Sequence, residues 1–219
     1  MKNIQIAASI LSADFAYLAK DIKKVLNAGI DEIHFDVMDH HFVPNLSFGS
    51  IICEALRNAG ISAPIDVHLM VTDPEKYITP FAKAGANRLS FHAETVSDTK
   101  KMCALIHEAG MQVGLAFNPD KPVTIEKNIW PLLDMILIMS VFAGFGGQKF
   151  IPDSIEKIRT THKLIQHNNP NILLSVDGGI KVDNIRDVVD AGAHFIVIGS
   201  GLFETNDYQE RMIQLRQTI

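Results

Sequence analysis

Two stretches alternate metal-binding or ionisable residues with apolar ones: His34-Phe35-Asp36-Val37-Met38-Asp39 and Asp66-Val67-His68-Leu69-Met70. In an extended strand, residues two apart point to the same side. His34, Asp36 and Met38 therefore share one face, and Asp66, His68 and Met70 share another. A third stretch, Val176-Asp177-Gly178-Gly179, ends an apolar run on a carboxylate. If these strands are neighbours with the same faces inward, two imidazoles and several carboxylates converge. Such a set does acid/base chemistry, metal chemistry or both, since burying it without a function is costly. His34, Asp36, His68 and Asp177 make a two-nitrogen, two-oxygen donor set suited to one divalent ion, Zn²⁺ or Fe²⁺, Mn²⁺ or Co²⁺. The plainer alternative is a pair of core histidines bonded to aspartates. Asp66 is either an orienting partner of an imidazole or a carboxylate tied to backbone. Asp39 belongs to the loop beyond.

Glycines form the second group. Gly144-Phe145-Gly146-Gly147, Gly178-Gly179 and Gly199-Ser200-Gly201 each follow an apolar run. Bare glycines let backbone N–H groups approach an anion closely. One such pair is an ordinary turn; three at neighbouring strand ends predict a phosphate site. No nucleotide-binding fingerprint is present, so the phosphate belongs to a small substrate. Ser9 either donates to a substrate oxygen or caps a turn. Met38, Met70 and Met139 either fill gaps or wall a substrate plane. His92 and Glu94 share a face and read as structural support.

The elements that must hold these residues are legible as alternation. Strand-like runs fall at Ile4–Ile10, Glu32–Met38, Pro64–Val71, Arg88–His92, Gln112–Phe117, Met135–Val141, Ile172–Asp177 and His194–Gly199. Several are apolar on both faces, as parallel strands covered by helices are. Amphipathic segments such as Asp14–Ala28 and Ser154–Gln166 lie between them. Ala-Gly recurs at Ala28-Gly29, Ala59-Gly60, Ala84-Gly85, Ala109-Gly110 and Ala191-Gly192, where Gly closes a helix. The spacing is about 25–30 residues, one βα unit. The expected fold class is α/β, a (β/α)8 TIM barrel in one domain spanning 1–219; an open doubly wound sheet is the rival. Barrel sites lie at the C-terminal ends of the strands, where every motif above sits.

The chain has 219 residues, 47% of them hydrophobic, and a formal net charge of -5. Its acidic balance argues against a nucleic-acid partner. No apolar run is long enough to span a bilayer. Met1-Lys2-Asn3-Ile4 leads directly into a predicted strand with no signal-peptide pattern. Cys53 and Cys103 read as reduced helix residues of a cytoplasmic protein.

Taken together, these stretches resemble the ribulose-phosphate 3-epimerase family over essentially the whole chain. The residues that carry the resemblance are Ser9 to Phe15, His34 to Asn45, Asp66 to Met70, Gly144 to Phe150 and Val176 to Ile180. The resemblance implies interconversion of D-ribulose 5-phosphate and D-xylulose 5-phosphate in the pentose phosphate pathway. It implies one divalent metal ion on His34, Asp36, His68 and Asp177, with Asp36 and Asp177 as the catalytic acid/base pair. Phosphate contacts fall on Gly144, Phe145, Gly146, Gly147, Gly178, Gly179, Gly199 and Ser200. Ser9, His68, Met38, Met70 and Met139 fall on the remaining substrate contacts, and a homo-oligomer is implied. D-allulose 6-phosphate is the alternative substrate, and a non-catalytic sugar-phosphate-binding barrel the alternative function. An orotidine-phosphate decarboxylase reading fails because no Lys lies between Asp36 and Asp39. The chain departs from the family's usual pattern at Ala8 (usually Pro), at His40 (usually Gly) and at Phe142-Ala143 (usually Asn-Pro). Strain at His40 and a less rigid approach to the glycine loop are the expected consequences.

Overall fold

A computed structural model describes residues 4–205 and 207–219. Met1, Lys2 and Asn3 lie outside the described residues, and with them the expectation about the extreme N-terminus. Eight strands form one closed parallel barrel in chain order. They are β1 (Gln5–Ser9), β2 (Glu32–Met38), β3 (Ile65–Met70), β4 (Arg88–His92), β5 (Gln112–Phe117), β6 (Met135–Met139), β7 (Leu173–Asp177) and β8 (Phe195–Ile198). Closure comes from β1 pairing with β8, Gln5 opposite Phe195. The open-sheet alternative is thereby excluded.

The helices are α1 (Leu18–Asn27), α2 (Ser50–Asn58), α3 (Glu75–Lys83), α4 (Thr99–Glu108), α5 (Ser154–Asn168), α6 (Ile185–Asp190), α7 (Ser200–Phe203) and α8 (Tyr208–Thr218). Five of them end just before the Ala-Gly pairs, whose glycines all have φ between 82° and 108°. That left-handed conformation turns the chain back toward the next strand. The expected eightfold repeat fails once. Between β5 and β6 a short 3₁₀ turn, Trp130–Leu132, replaces a helix. Pro119, Pro122 and Pro131 in that stretch remove backbone donors a helix would need. The predicted helix from Asp14 also begins late: Phe15–Tyr17 is a 3₁₀ turn and Phe15 stays 45% exposed, its ring against Phe48.

Buried apolar side chains divide into two main sets, with a third, small one of Met38, Val43 and Met70. The larger fills the space between barrel and helices, with Phe35, Phe81 and Phe91 fully buried. A smaller one, Ala7, Ala116, Met135, Leu137, Met139, Phe195 and Val197, packs separately from it. Alternation explains the split, because each strand sends one parity of residues to each side. Cys53 and Cys103 are both buried and free, as expected. Among the described residues no helix is long and apolar enough to cross a membrane.

Candidate active site

Strand register assembles the site. His34 pairs with Asp66, Asp36 with His68 and Met38 with Met70 across β2 and β3. The two alternating motifs therefore lie side by side, matched residue for residue. Asp177 arrives from the end of β7. Its carbonyl accepts from Ser140 N at 2.8 Å and Ser140 Oγ at 2.9 Å. Ser140, fully buried just beyond β6, thus fixes where Asp177 stands. The sequence offered no signal for that role beyond a polar residue at a strand end.

His34, Asp36, His68 and Asp177 each offer one ligand atom, and these atoms lie within 4.8 Å of one another. His34 Nδ1 donates to Asp66 Oδ2 at 2.8 Å. Its Nε2 lies 3.3 Å from Asp36 Oδ1 and 4.0 Å from Asp177 Oδ2, yet makes no hydrogen bond. A buried ring nitrogen aimed between two carboxylates without a bond is what a cation-binding set looks like. Electrostatics agree. Burial opposes charge on His34, but Asp36 and Asp66 outweigh it and raise its pKa well above the usual imidazole range. Burial likewise opposes ionisation of Asp36, yet His34 and His68 hold that carboxyl well below the usual range. Asp177 goes the other way: burial, then repulsion from Asp36, push it up to about 7. The cluster thus attracts positive charge at its centre, and the residues fit a divalent ion.

Beneath the cluster lies an ionic floor that the sequence reading did not find. Arg88 Nη1 is 3.2 Å from Glu32 Oε2 and 3.7 Å from Asp66 Oδ1, and the guanidinium sits 4.9 Å over the Phe195 ring. Asp66 is fully buried between Arg88 and His34, which settles its alternatives in favour of an orienting partner. Parallel pairing of β2 with β3 and of β3 with β4 sets His34 opposite Asp66 and Asp66 opposite Arg88.

Above the cluster opens a pocket lined by Ser9, Asp36, Met38, Met70, Met139, Asp177 and the three glycine groups, including Phe145 and Ser200. The expected residues are therefore together, apart from His34 and His68, which are wholly buried below the pocket floor. Ser9 Oγ donates to Asp36 Oδ2 at 2.6 Å, so its hydroxyl is spent on the carboxylate. Met38 and Met70 pack with Val43, and Met139 belongs to the inner set.

The three departures have visible consequences. Ala8 lies inside β1, paired with Ile33 and Ile198. His40 has φ of 60°, and it alone among the described non-glycine residues takes a positive φ. Phe142 is 53% exposed at the pocket mouth. The glycine loop is nonetheless tied down. Gln148 Nε2 donates to Phe142 O at 2.7 Å and Phe145 O at 2.8 Å, and Asn45 Nδ2 donates to Gly144 O at 2.9 Å. Ala143 N, which a proline could not supply, donates to Asn118 Oδ1 at 3.3 Å.

Comparison with known proteins agrees with this geometry. Residues 5–203 match the model of the Ribulose-phosphate 3 epimerase family. Ribulose-phosphate 3-epimerase of Buchnera aphidicola subsp. Acyrthosiphon pisum (strain APS) is 51% identical, covering 100% of this chain and 96% of that protein. The protein of that name from Escherichia coli (strain K12) is 46% identical over 100% of this chain and 97% of its own. Among solved structures, a ligand complex of KGPDC from Streptococcus mutans superposes with a TM-score of 0.76 at 15% identity, covering 98% of this chain and 96% of that one. That likeness is one of fold. The matched span takes in all eight strands, and by it and by these relatives the chain belongs to the ribulose-phosphate 3-epimerase family.

Proposed function

We propose that this protein interconverts D-ribulose 5-phosphate and D-xylulose 5-phosphate by proton transfer at C3. One observation carries the reading: two carboxylates from strands that are not neighbours, Asp36 and Asp177, line one pocket and flank the same imidazole nitrogen. Inverting a carbon requires a proton to leave one face and another to arrive at the opposite face. A single carboxylate cannot reach both.

The two environments set the starting roles. Asp36, held ionised and oriented by Ser9, takes the C3 proton, which the neighbouring C2 carbonyl makes acidic. Asp177, whose carboxyl burial and the neighbouring Asp36 push upward, returns one to the other face. In the reverse direction the roles exchange. His34, Asp36, His68 and Asp177 would hold a divalent ion, whether Zn²⁺, Fe²⁺, Mn²⁺ or Co²⁺, which would supply positive charge to offset the negative charge developing on the substrate oxygens. Met38, Met70 and Met139 flank the deprotonated substrate with apolar, polarisable surface that offers no competing proton. The N–H groups of Gly144 to Gly147, Gly178, Gly179, Gly199 and Ser200 hold the phosphate.

The reading takes residues 1–219 as one domain and places it in the cytoplasm as a homo-oligomer. Phe15, Tyr17, Leu46 and Ile51 are exposed apolar side chains that a second copy would cover. The test is epimerisation of D-ribulose 5-phosphate and D-allulose 6-phosphate by metal-loaded and chelator-stripped protein, with Asp177→Asn as control. The expected outcome is preferred turnover of the five-carbon sugar, lost on stripping and in the variant. Preference for the six-carbon sugar would change the substrate and keep the chemistry. No turnover of either by the loaded protein would overturn the proposal.

A further inference from the structure

Beside the donor cluster two imidazoles face each other. His68 Nε2 lies 2.9 Å from His92 Nε2, with ring centroids 5.1 Å apart. Both side chains are fully buried. One of the facing nitrogens must donate and the other accept. The choice matters because the other nitrogen of His68, Nδ1, lies 3.3 Å from Asp36 Oδ1 and is the one turned toward the cluster. With its proton on Nδ1, His68 bonds to Asp36 and offers no lone pair. With its proton on Nε2, Nδ1 is free to bind a cation.

The contacts beyond His92 say which state the bare side chains adopt. His92 Nδ1 is 3.4 Å from Asn118 Nδ2, an amide nitrogen that can only donate. The amide is oriented by its other bonds: Asn118 Oδ1 accepts from Ala143 N at 3.3 Å, and Nδ2 also reaches Glu94 Oε1 at 3.4 Å. His92 Nδ1 therefore accepts, and the His92 proton sits on Nε2 and points at His68. His68 in turn keeps its proton on Nδ1, facing Asp36. Every donor is matched, and His68 is in the tautomer that cannot ligate.

Ligation by Nδ1 reverses the whole row. His68 must carry its proton on Nε2, His92 must accept it, and His92 must then be protonated on Nδ1. That new N–H faces the Asn118 amide nitrogen, which cannot accept. The acceptor within reach is the Glu94 carboxylate, with Oε1 3.8 Å from His92 Nδ1. We propose that His92 is a positioning residue that exchanges tautomer together with His68 when a divalent cation binds, and that Glu94 receives the His92 Nδ1–H in the loaded state. One proton passes from His92 Nε2 to His68 Nε2. One leaves His68 Nδ1 as the cation arrives, and one is taken up at His92 Nδ1. The pair holds two protons before and after. The Asn118 amide that yields to Glu94 is the one holding Ala143 N, so the exchange also reaches the start of the glycine loop.

This inference rests on the cation reading of the cluster, and its test separates the two. Zn²⁺ affinity is measured by competition with a chromophoric chelator for wild type, His92→Phe and Glu94→Ala. Ring tautomers are read by ¹⁵N NMR in Zn²⁺-free and Zn²⁺-loaded wild type, which needs no variant to fold. The expected result is His92 protonated on Nε2 without Zn²⁺ and on Nδ1 with it. Affinity should fall about 10–100-fold in His92→Phe and in the same direction in Glu94→Ala. Wild type that binds Zn²⁺ while His92 keeps one tautomer, or His92→Phe that binds Zn²⁺ as wild type does, would overturn this inference alone. Wild type that binds no Zn²⁺ would overturn it together with the cation reading.

Discussion

Three glycines around the pocket give a graded test of whether the anion loops are built as described. At Gly146 an added Cβ meets nothing closer than Leu11 Cδ2 at 3.6 Å, and φ is not positive. Alanine there should change stability by no more than about 0.5 kcal/mol. Gly147 has φ of +73° with nothing within 4 Å. Alanine there bears only the left-handed backbone cost, about 1–2 kcal/mol. Gly179 has φ of +64°, and its Cβ would overlap Phe150 N and stand 2.8 Å from Gln148 O, both backbone. Overpacking against atoms that cannot rotate away adds about 1–3 kcal/mol, for a total of about 2–5 kcal/mol. In a chain of this size that lowers Tm by roughly 4–20 °C. The displaced segment carries the Gln148 tie to the glycine loop. Losing one charge-assisted bond to phosphate, about 1.5–3 kcal/mol, should raise KM for D-ribulose 5-phosphate at least about tenfold. Melting curves and initial rates on the three variants make the measurement. Gly179→Ala no worse than Gly146→Ala in both assays would refute the reasoning.

Asp66→Ala should strand the His34 Nδ1–H in a dry interior, lowering stability by about 1–3 kcal/mol and divalent-metal affinity about 10–100-fold, by calorimetry and chelator competition; unchanged affinity would break the link to His34. His40→Gly should relieve left-handed strain and raise stability by about 0.5–1 kcal/mol in denaturant titration, whereas a loss would show that His40 is held there by contacts worth more than the strain. Asp39 gives a pH prediction. Slight burial disfavours its charge, but bonds from Thr72 N, Phe42 N, His41 N and Thr72 Oγ1 hold its pKa at about 2. A carboxyl depressed in the folded state stabilises above its ordinary pKa near 3.8 and loses that contribution as pH falls toward about 2. Wild type should therefore lose stability relative to Asp39→Asn as pH drops through that window; parallel curves would exclude the role.

The strand runs were readable because parallel strands under helices are apolar on both faces. The β2, β4 and β5 boundaries read from the sequence coincide with the structure, and the others run one or two residues long. The Ala-Gly closures were readable for an equally local reason. The site was legible to the extent that period two puts His34 with Asp36 and Asp66 with His68. What the sequence could not supply was register between strands. Arg88 reads as an ordinary charged residue until the barrel sets it opposite Asp66, and His92 reads as support until it faces His68. The missing helix before β6 was hidden because repetition was extrapolated across a stretch whose prolines argued against it.

Closure of β1 on β8 bears on how the protein can be made. Until β8 has emerged from the ribosome, β1 has an unpaired edge, and so does whichever strand was last synthesised. The donors fill in the same order: His34, Asp36 and His68 are present once β3 exists, and Asp177 comes four strands later. A growing chain therefore carries most of a charged centre before the carboxylate that completes it and the final ladder that seals it. Pairing between distant segments also makes refolding slow compared with helical proteins of similar stability. The order in which the connectivity delivers its strands thus leaves both the four-residue cluster and the sealing ladder to be completed last.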